Sequence, residues 1–495
     1  MIERLLRRTG LVMLGTGFSK GLLLVLELFI ARALGAAGYG AFSLGLATLF
    51  VVANAALLGL NFGVIQYLSV HQEEQRPDLV RGVLRTSLVV TALTGVAAAA
   101  AVWLAADVLA LRVFSKPELG PALRIVALAI PFETLNQNLS AGFRGLRRFR
   151  DHVMVSDLWR NALALTAVLV LSLRKLELVP VLWVLVLGTA AATLIGLWRM
   201  RAALAGDAGG SLNQHAARLL RFSYLLIGWN LFQQLAGRGL LLLSGIFLSS
   251  ADVGILSAFT RLLLLFTFFQ SGINQTTPVE FARLHHLGDR AQLQRTFAGI
   301  TLALLIAATA TALPLVTAPP VLLGLIGPEF SAGGWWLVPL VAAQLLNVGT
   351  GPAGQLLIAC HRQREVFIAS VCSGLAMLLL GVTLMPSLGL PGAVLAGTAT
   401  ILLLTLIRLV YLWRFERVHG FHPLWMATAA GGVVAAFAGT ALAEWLRGVP
   451  GWLAGSALSL LLFLIAVLLF LKRDTEFHSA LQGWRFRFRS AEPGR

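Results

Sequence analysis

Four cations sit where water should be scarce. Lys20, Arg160, Arg238 and Arg261 each lie within a long apolar run, and so do the carboxylates Glu27, Glu133 and Asp157. An Arg, Lys or Asp at the centre of a membrane helix costs about 2.5–3.5 kcal/mol, so four such cations facing lipid would cost on the order of 10 kcal/mol. Side chains this costly face a wet cavity or a partner. A guanidinium offers a fork of donors matched to phosphate or carboxylate oxygens, so anion recognition is the chemistry within reach. Local pairing is the competing account. Asp157 and Arg160 stand three residues apart and can neutralise each other. Lys20 and Glu27 share one helical face two turns apart, and Arg261 can tie neighbouring helices together.

Uncharged polar residues extend the pattern into stripes. One helix aligns Glu133, Asn136, Gln137, Ser140 and Arg144, and another aligns Asn230, Gln234 and Arg238 at four-residue steps. Two more align Gln270, Asn274 and Thr277, and Gln344, Asn347, Gly351 and Gln355. Such spacing places residues on a single helical face. Interhelical hydrogen bonds would account for one or two stripes. Four of them predict a shared hydrophilic lumen.

The elements that must position these residues are membrane helices. The chain has 495 residues, 58% hydrophobic and only 12% charged, with a mean hydropathy of +0.82. Soluble domains are about a quarter charged, so this composition excludes an ordinary soluble protein. Apolar runs of about twenty residues recur throughout. Loops and charges place helices near 10–31, 38–69, 80–113, 120–146, 151–172, 178–199 and 217–248, then 252–283, 294–326, 332–360, 365–386, 390–413, 423–446 and 451–471. The first run follows a basic start but is interrupted by Lys20 and Glu27, so it reads as a retained helix rather than a cleaved leader.

Fourteen spans put both termini on one side, and the basic residues agree. Of the 39 lysines and arginines, 27 fall on loops and tails of that side, six on the other, and six within spans. The positive-inside rule makes the first side cytoplasmic. The net charge of +17 is then topology and affinity for anionic lipid, not a nucleic-acid surface. Cys360 and Cys372 offer no disulfide framework and read as packing residues. His285–His286 falls in a cytoplasmic loop without a nearby cysteine or a carboxylate pair at ligand spacing, so no metal site is expected there, and no cofactor is expected either. A GxxxxGK[ST] phosphate loop is absent, which argues against ATP hydrolysis by this chain.

The chain also repeats itself. FIARALGAAGYGAFSLG, residues 29–45, returns as LSGIFLSSADVGILSAF, residues 243–259, at an offset of 214 that pairs Gly40 with Gly254 and Ser43 with Ser257. Arg148, Arg150 and Asp151 recur at the same offset as Arg362, Arg364 and Glu365. An even number of spans per copy predicts two co-oriented six-helix lobes about an axis along the membrane normal. The expected divisions are 1–200, a polar linker at 201–216, 217–417, two extra helices at 418–472 and a basic tail at 473–495. Gly40 and Gly254 are expected to let the chain reverse at the outer turn.

RALGAAGYG, SADVGILSAFTRLL, LIGPEF and LMPSLGLPGAVLAGTAT, in that order over about residues 1–470, resemble the polysaccharide, or O-antigen, flippases. These belong to the multidrug/oligosaccharidyl-lipid/polysaccharide exporter superfamily. The resemblance implies a V-shaped pair of six-helix bundles. It further implies transfer of an undecaprenyl-diphosphate-linked glycan from inner to outer leaflet by alternating access, beside polysaccharide-synthesis partners and with no catalytic residue. Lys20, Arg238 and Arg261 are then the expected head-group ligands. Arg160, Asn230, Gln234, Asn136, Gln137, Asn274 and Asn347 would complete the substrate surface, and Glu27, Glu133 and Asp157 are coupling-ion candidates. A lipid II flippase or a multidrug exporter of the same superfamily is the near alternative. A membrane glycosyltransferase or ligase is the enzyme alternative, disfavoured by short outer loops with scattered single acids.

Overall fold

The computed structural model describes residues 2–155, 177–207 and 212–473, with isolated positions at 162, 165, 166 and 168. For some helical residues, Lys20 and Asn274 among them, it describes the backbone alone. All regular structure among the described residues is helical, and nine of these helices are long and apolar enough to cross a membrane. The described helices are consistent with fourteen spans. The span expected at 151–172 lies mostly outside the described residues, and Asp157 and Arg160 lie there with it.

Breaks in the helices follow local chemistry. The opening helix Ile2–Ala56 is two helices joined at Gly35, whose φ of 68° and ψ of 176° are non-helical. The expected span 38–69 is interrupted at Leu58 and Gly59, both at positive φ, before Leu60–Glu73 begins. The span expected at 332–360 is likewise split, into Leu337–Gly349 and Ala353–Ala359. Between them Gly351 takes φ 85° and Pro352 cannot donate to the preceding turn.

The chain divides into two compact units, Met1–Leu262 with Met377–Ala396, and Leu263–Ala376 with Gly397–Arg495. In the first unit, Tyr39, Leu44, Leu49, Leu57, Leu60 and Phe143 are fully buried. In the second, Phe281, Phe297, Leu356, Leu357 and Leu412 form a buried cluster. Its last two helices, Trp425–Leu446 and Gly448–Arg473, meet through small residues. A methyl on Gly439 would press against the Gly455 carbonyl, the close backbone approach typical of membrane helix pairs. The outward faces stay apolar: Leu104, Leu379, Met426 and Phe437 are all exposed, as side chains that meet lipid should be.

The repeated phrase has a different purpose from the one its glycines suggested. The helix breaks at Gly35, while Gly40 lies inside a helix. A Cβ on Gly40 would overlap the Ser250 carbonyl, and a Cβ on Gly254 would overlap the Ala36 carbonyl. Since 36 and 40 become 250 and 254 at the offset of 214, the contact is reciprocal, as an isologous two-fold contact must be. The two copies of the phrase touch each other. Other details recur at this offset. Arg147 and His361 both adopt left-handed φ, at 57° and 61°. Arg148 pairs with Asp151 at 2.7 Å, and Arg362 with Glu365 at 3.6 Å.

Candidate functional site

The glycine crossing sets the position of a charged cluster. Arg261 lies seven residues beyond Gly254, two turns along the same helical face. There its guanidinium forms an ion pair with Glu27, and the Tyr39 hydroxyl donates to the same carboxylate at 3.1 Å. Glu27 and Tyr39 are buried and Arg261 is largely so. The expected tie between neighbouring helices at Arg261 is thus a tie to the first helix, across the break at Gly35. Arg238, from the helix Leu212–Phe247, lies over the Phe50 ring at 4.1 Å from its centroid, a cation–π contact.

Glu27, Phe50, Arg238 and Arg261 border one cavity of about 220 Å³ within the first unit. Among the described residues its charged lining is Glu27, Glu133, Arg238 and Arg261, two carboxylates beside two guanidinium groups, and its walls are chiefly Leu, Val, Ile and Phe. Its volume suits a phosphate-sized group or a few waters, and falls below the roughly 300–1,000 Å³ of pockets that enclose larger ligands. Glu133, buried in the helix Leu119–Gly145, accepts a hydrogen bond from Gln137 at 3.0 Å.

The other expected residues separate into groups. Asn136 and Asn230 are buried in the same unit but do not line this cavity. Asn136 Oδ1 and Asn230 Nδ2 have no hydrogen-bond partner among the described residues. Gln234 is half-buried. Asn347 belongs to the second unit, where it accepts an interhelical hydrogen bond from Thr405 at 3.1 Å and donates to Gln344 within its own helix at 3.5 Å. The side chains of Lys20 and Asn274, like Asp157 and Arg160, lie outside the described residues. Sequence reasoning missed Tyr39 and Phe50. Tyr39 stood in plain view beside Gly40 in the repeated phrase, whereas Phe50 resembles any lipid-facing aromatic.

The family described as polysaccharide biosynthesis protein matches residues 5–282, more than half of the chain and all of this cavity's lining. The chain belongs to that family. No curated protein sequence matches it. Among solved structures it is similar to the lipid II flippase MurJ in an inward closed conformation, with a TM-score of 0.75 at 13% identity. That likeness covers 93% of this chain and 99% of MurJ. It is also similar to an inward-facing multidrug resistance MATE family transporter of the MOP superfamily, with a TM-score of 0.67 at 14% identity over 82% of this chain and 98% of that one. A MOP superfamily transporter from Pyrococcus furiosus gives 0.58 at 14% identity over 83% and 95%. At such identities the likeness establishes the fold that this polysaccharide biosynthesis family member shares with flippases and transporters.

Proposed function

We propose that the chain moves an undecaprenyl-diphosphate-linked oligosaccharide from the inner to the outer leaflet of a bacterial inner membrane by alternating access, with both termini in the cytoplasm. The observation that carries this reading is the cavity among membrane helices where Arg238 and the Glu27–Arg261 pair meet, in a member of the polysaccharide biosynthesis family. In this reading the six-helix lobes at 1–200 and 217–417 are the moving bodies. The diphosphate carries concentrated charge, and Arg238 and Lys20 receive it while the polyprenyl tail stays in lipid.

Arg261 enters by exchanging partners. Glu27 holds its guanidinium, and a diphosphate would compete with that carboxylate for the same donors. Protonation of Glu27 would release Arg261 toward the anion, which ties proton uptake to head-group binding. Glu133 and Asp157 are the other coupling candidates. The membrane potential supplies about 2.3 kcal/mol per charge per 100 mV and can act on the same charges. The small cavity accommodates phosphate, so the glycan requires a wider opening during transport. The similarity to MurJ favours a second reading in which lipid II is the cargo, with the same head-group chemistry and a different glycan.

The test is transport in vesicles reconstituted with the purified chain and a lipid-linked oligosaccharide, read by the fraction accessible to an external sugar-modifying reagent. Transfer by the unaltered chain, lost in Arg238→Ala with folding intact, is expected. Equal transfer with and without the protein would remove the proposal, and transfer of lipid II alone would select the second reading.

A further inference from the structure

The fold assembles what the sequence kept apart. His285 lies near the end of the helix Ser250–His286, Cys360 follows the helix Ala353–Ala359, and Glu416 closes the turn Leu412–Glu416. One ligand atom from each lies within 4.8 Å of the other two, inside the second unit. Along the chain His285 has no cysteine near it and no carboxylate pair at ligand spacing, yet in space a cysteine and a carboxylate come to it.

We propose that His285, Cys360 and Glu416 form a binding site for a borderline-soft divalent cation, zinc first, with a fourth position left to water. Thiol, imidazole and carboxylate are the donor types of zinc, whereas magnesium and calcium require oxygen donors throughout. In a tetrahedral zinc site, bonds of 2.0–2.3 Å put ligand atoms roughly 3.3–3.8 Å apart, so the cluster needs to contract by about an ångström. Side-chain rotation can supply that. His285 Nδ1 already lies 3.5 Å from Glu416 Oε2.

The state of Glu416 is the second observation. Its side chain is buried, 7% exposed, and among the described residues it lies 3.5 Å from the His285 imidazole and 3.6 Å from the Arg362 guanidinium, longer than short hydrogen bonds. A buried carboxylate held this loosely still lacks much of the compensation that burial demands. Arg362 does not block a cation there, because it has a second carboxylate in Glu365 at 3.6 Å and rests on the Phe415 ring at 4.5 Å. Cys360 itself belongs to the buried cluster of Phe281, Leu284, Leu356, Leu357 and Leu412. Binding takes the thiol proton of Cys360 to solvent, so affinity rises with pH. A bound ion would pin three segments that are 75 and 56 residues apart in the chain. The arginine count assigns this end to the cytoplasm, where a thiol stays reduced.

The experiment uses the full chain, purified in detergent through a tag without histidines, stripped with EDTA, loaded with Zn²⁺ and dialysed. About one zinc per chain is expected by elemental analysis. Cys360→Ser and Glu416→Gln should weaken binding by about tenfold or more. Cys372→Ser should leave it unchanged, since Cys372 is exposed and outside the cluster. Cobalt loading should give the unaltered chain a thiolate-to-metal charge-transfer band, a readout that survives even where a variant misfolds. Zinc at background level, zinc retained in full by Cys360→Ser, or a cobalt complex without that band would each overturn the proposal.

Discussion

At the scale of single residues, the cavity works through charges that already have partners. Glu27 and Arg261 neutralise each other in a buried setting, so removing one leaves the other uncompensated. Breaking a buried pair in this way costs about 3–5 kcal/mol. Glu27→Gln should therefore lower the thermal unfolding midpoint in detergent, and adding Arg261→Met should recover much of the loss without recovering transport. Equal midpoints for Glu27→Gln and the unaltered chain would show the pair to be structurally idle. Arg238→Ala and Lys20→Ala should each reduce transport by tenfold or more with folded protein retained. Arg238→Lys should fall between, because it keeps the charge and loses the planar fork. Full transport in both alanine variants would remove the head-group assignment. The carboxylates and cations were legible as an expensive set in apolar runs. Their pairing was not, because Glu27 and Arg261 stand 234 residues apart in the chain and no local spacing connects them.

At the scale of elements, the crossing of Gly40 and Gly254 positions everything around it. Each glycine admits a backbone carbonyl from the other copy, so any side chain must push two helices apart. Gly40→Ala or Gly254→Ala should cost about 1–3 kcal/mol through overpacking. Gly228→Ala, with open space around it, should be neutral or slightly stabilising in its helix. Thermal unfolding of the three variants checks this, and an unaffected Gly40→Ala would remove the crossing as a determinant of the fold. Lys116 secures the same region by donating to the Phe114 and Leu248 carbonyls at 3.1 and 2.7 Å, and so covers the C-terminal end of the helix Leu212–Phe247. The sequence marked both glycines through the repeat at offset 214. It could not tell a turn from a crossing, since either use needs a residue without a side chain. The break at Gly351–Pro352 was in principle readable from Gly-Pro, but the apolar residues on both sides carried the expected span straight through it.

At the scale of the whole molecule, the all-helical membrane fold class followed from hydropathy, because lipid leaves few alternatives for a polar backbone, and the described helices are consistent with the expected fourteen spans. Reporter fusions at Gly209 and at the C-terminal tail should both give cytoplasmic signals; an external signal at either would refute the orientation. The His285–Cys360–Glu416 cluster was invisible in sequence for the opposite reason, since tertiary packing alone brings its members together. Family membership and the MurJ-like fold make transport of a lipid-linked saccharide the central claim. The most direct test follows such a lipid across the bilayer of vesicles containing the purified chain. The account predicts that the outer-leaflet fraction grows with the unaltered protein and stays at the protein-free level with Arg238→Ala. Growth at equal rates in vesicles with and without the protein would contradict it.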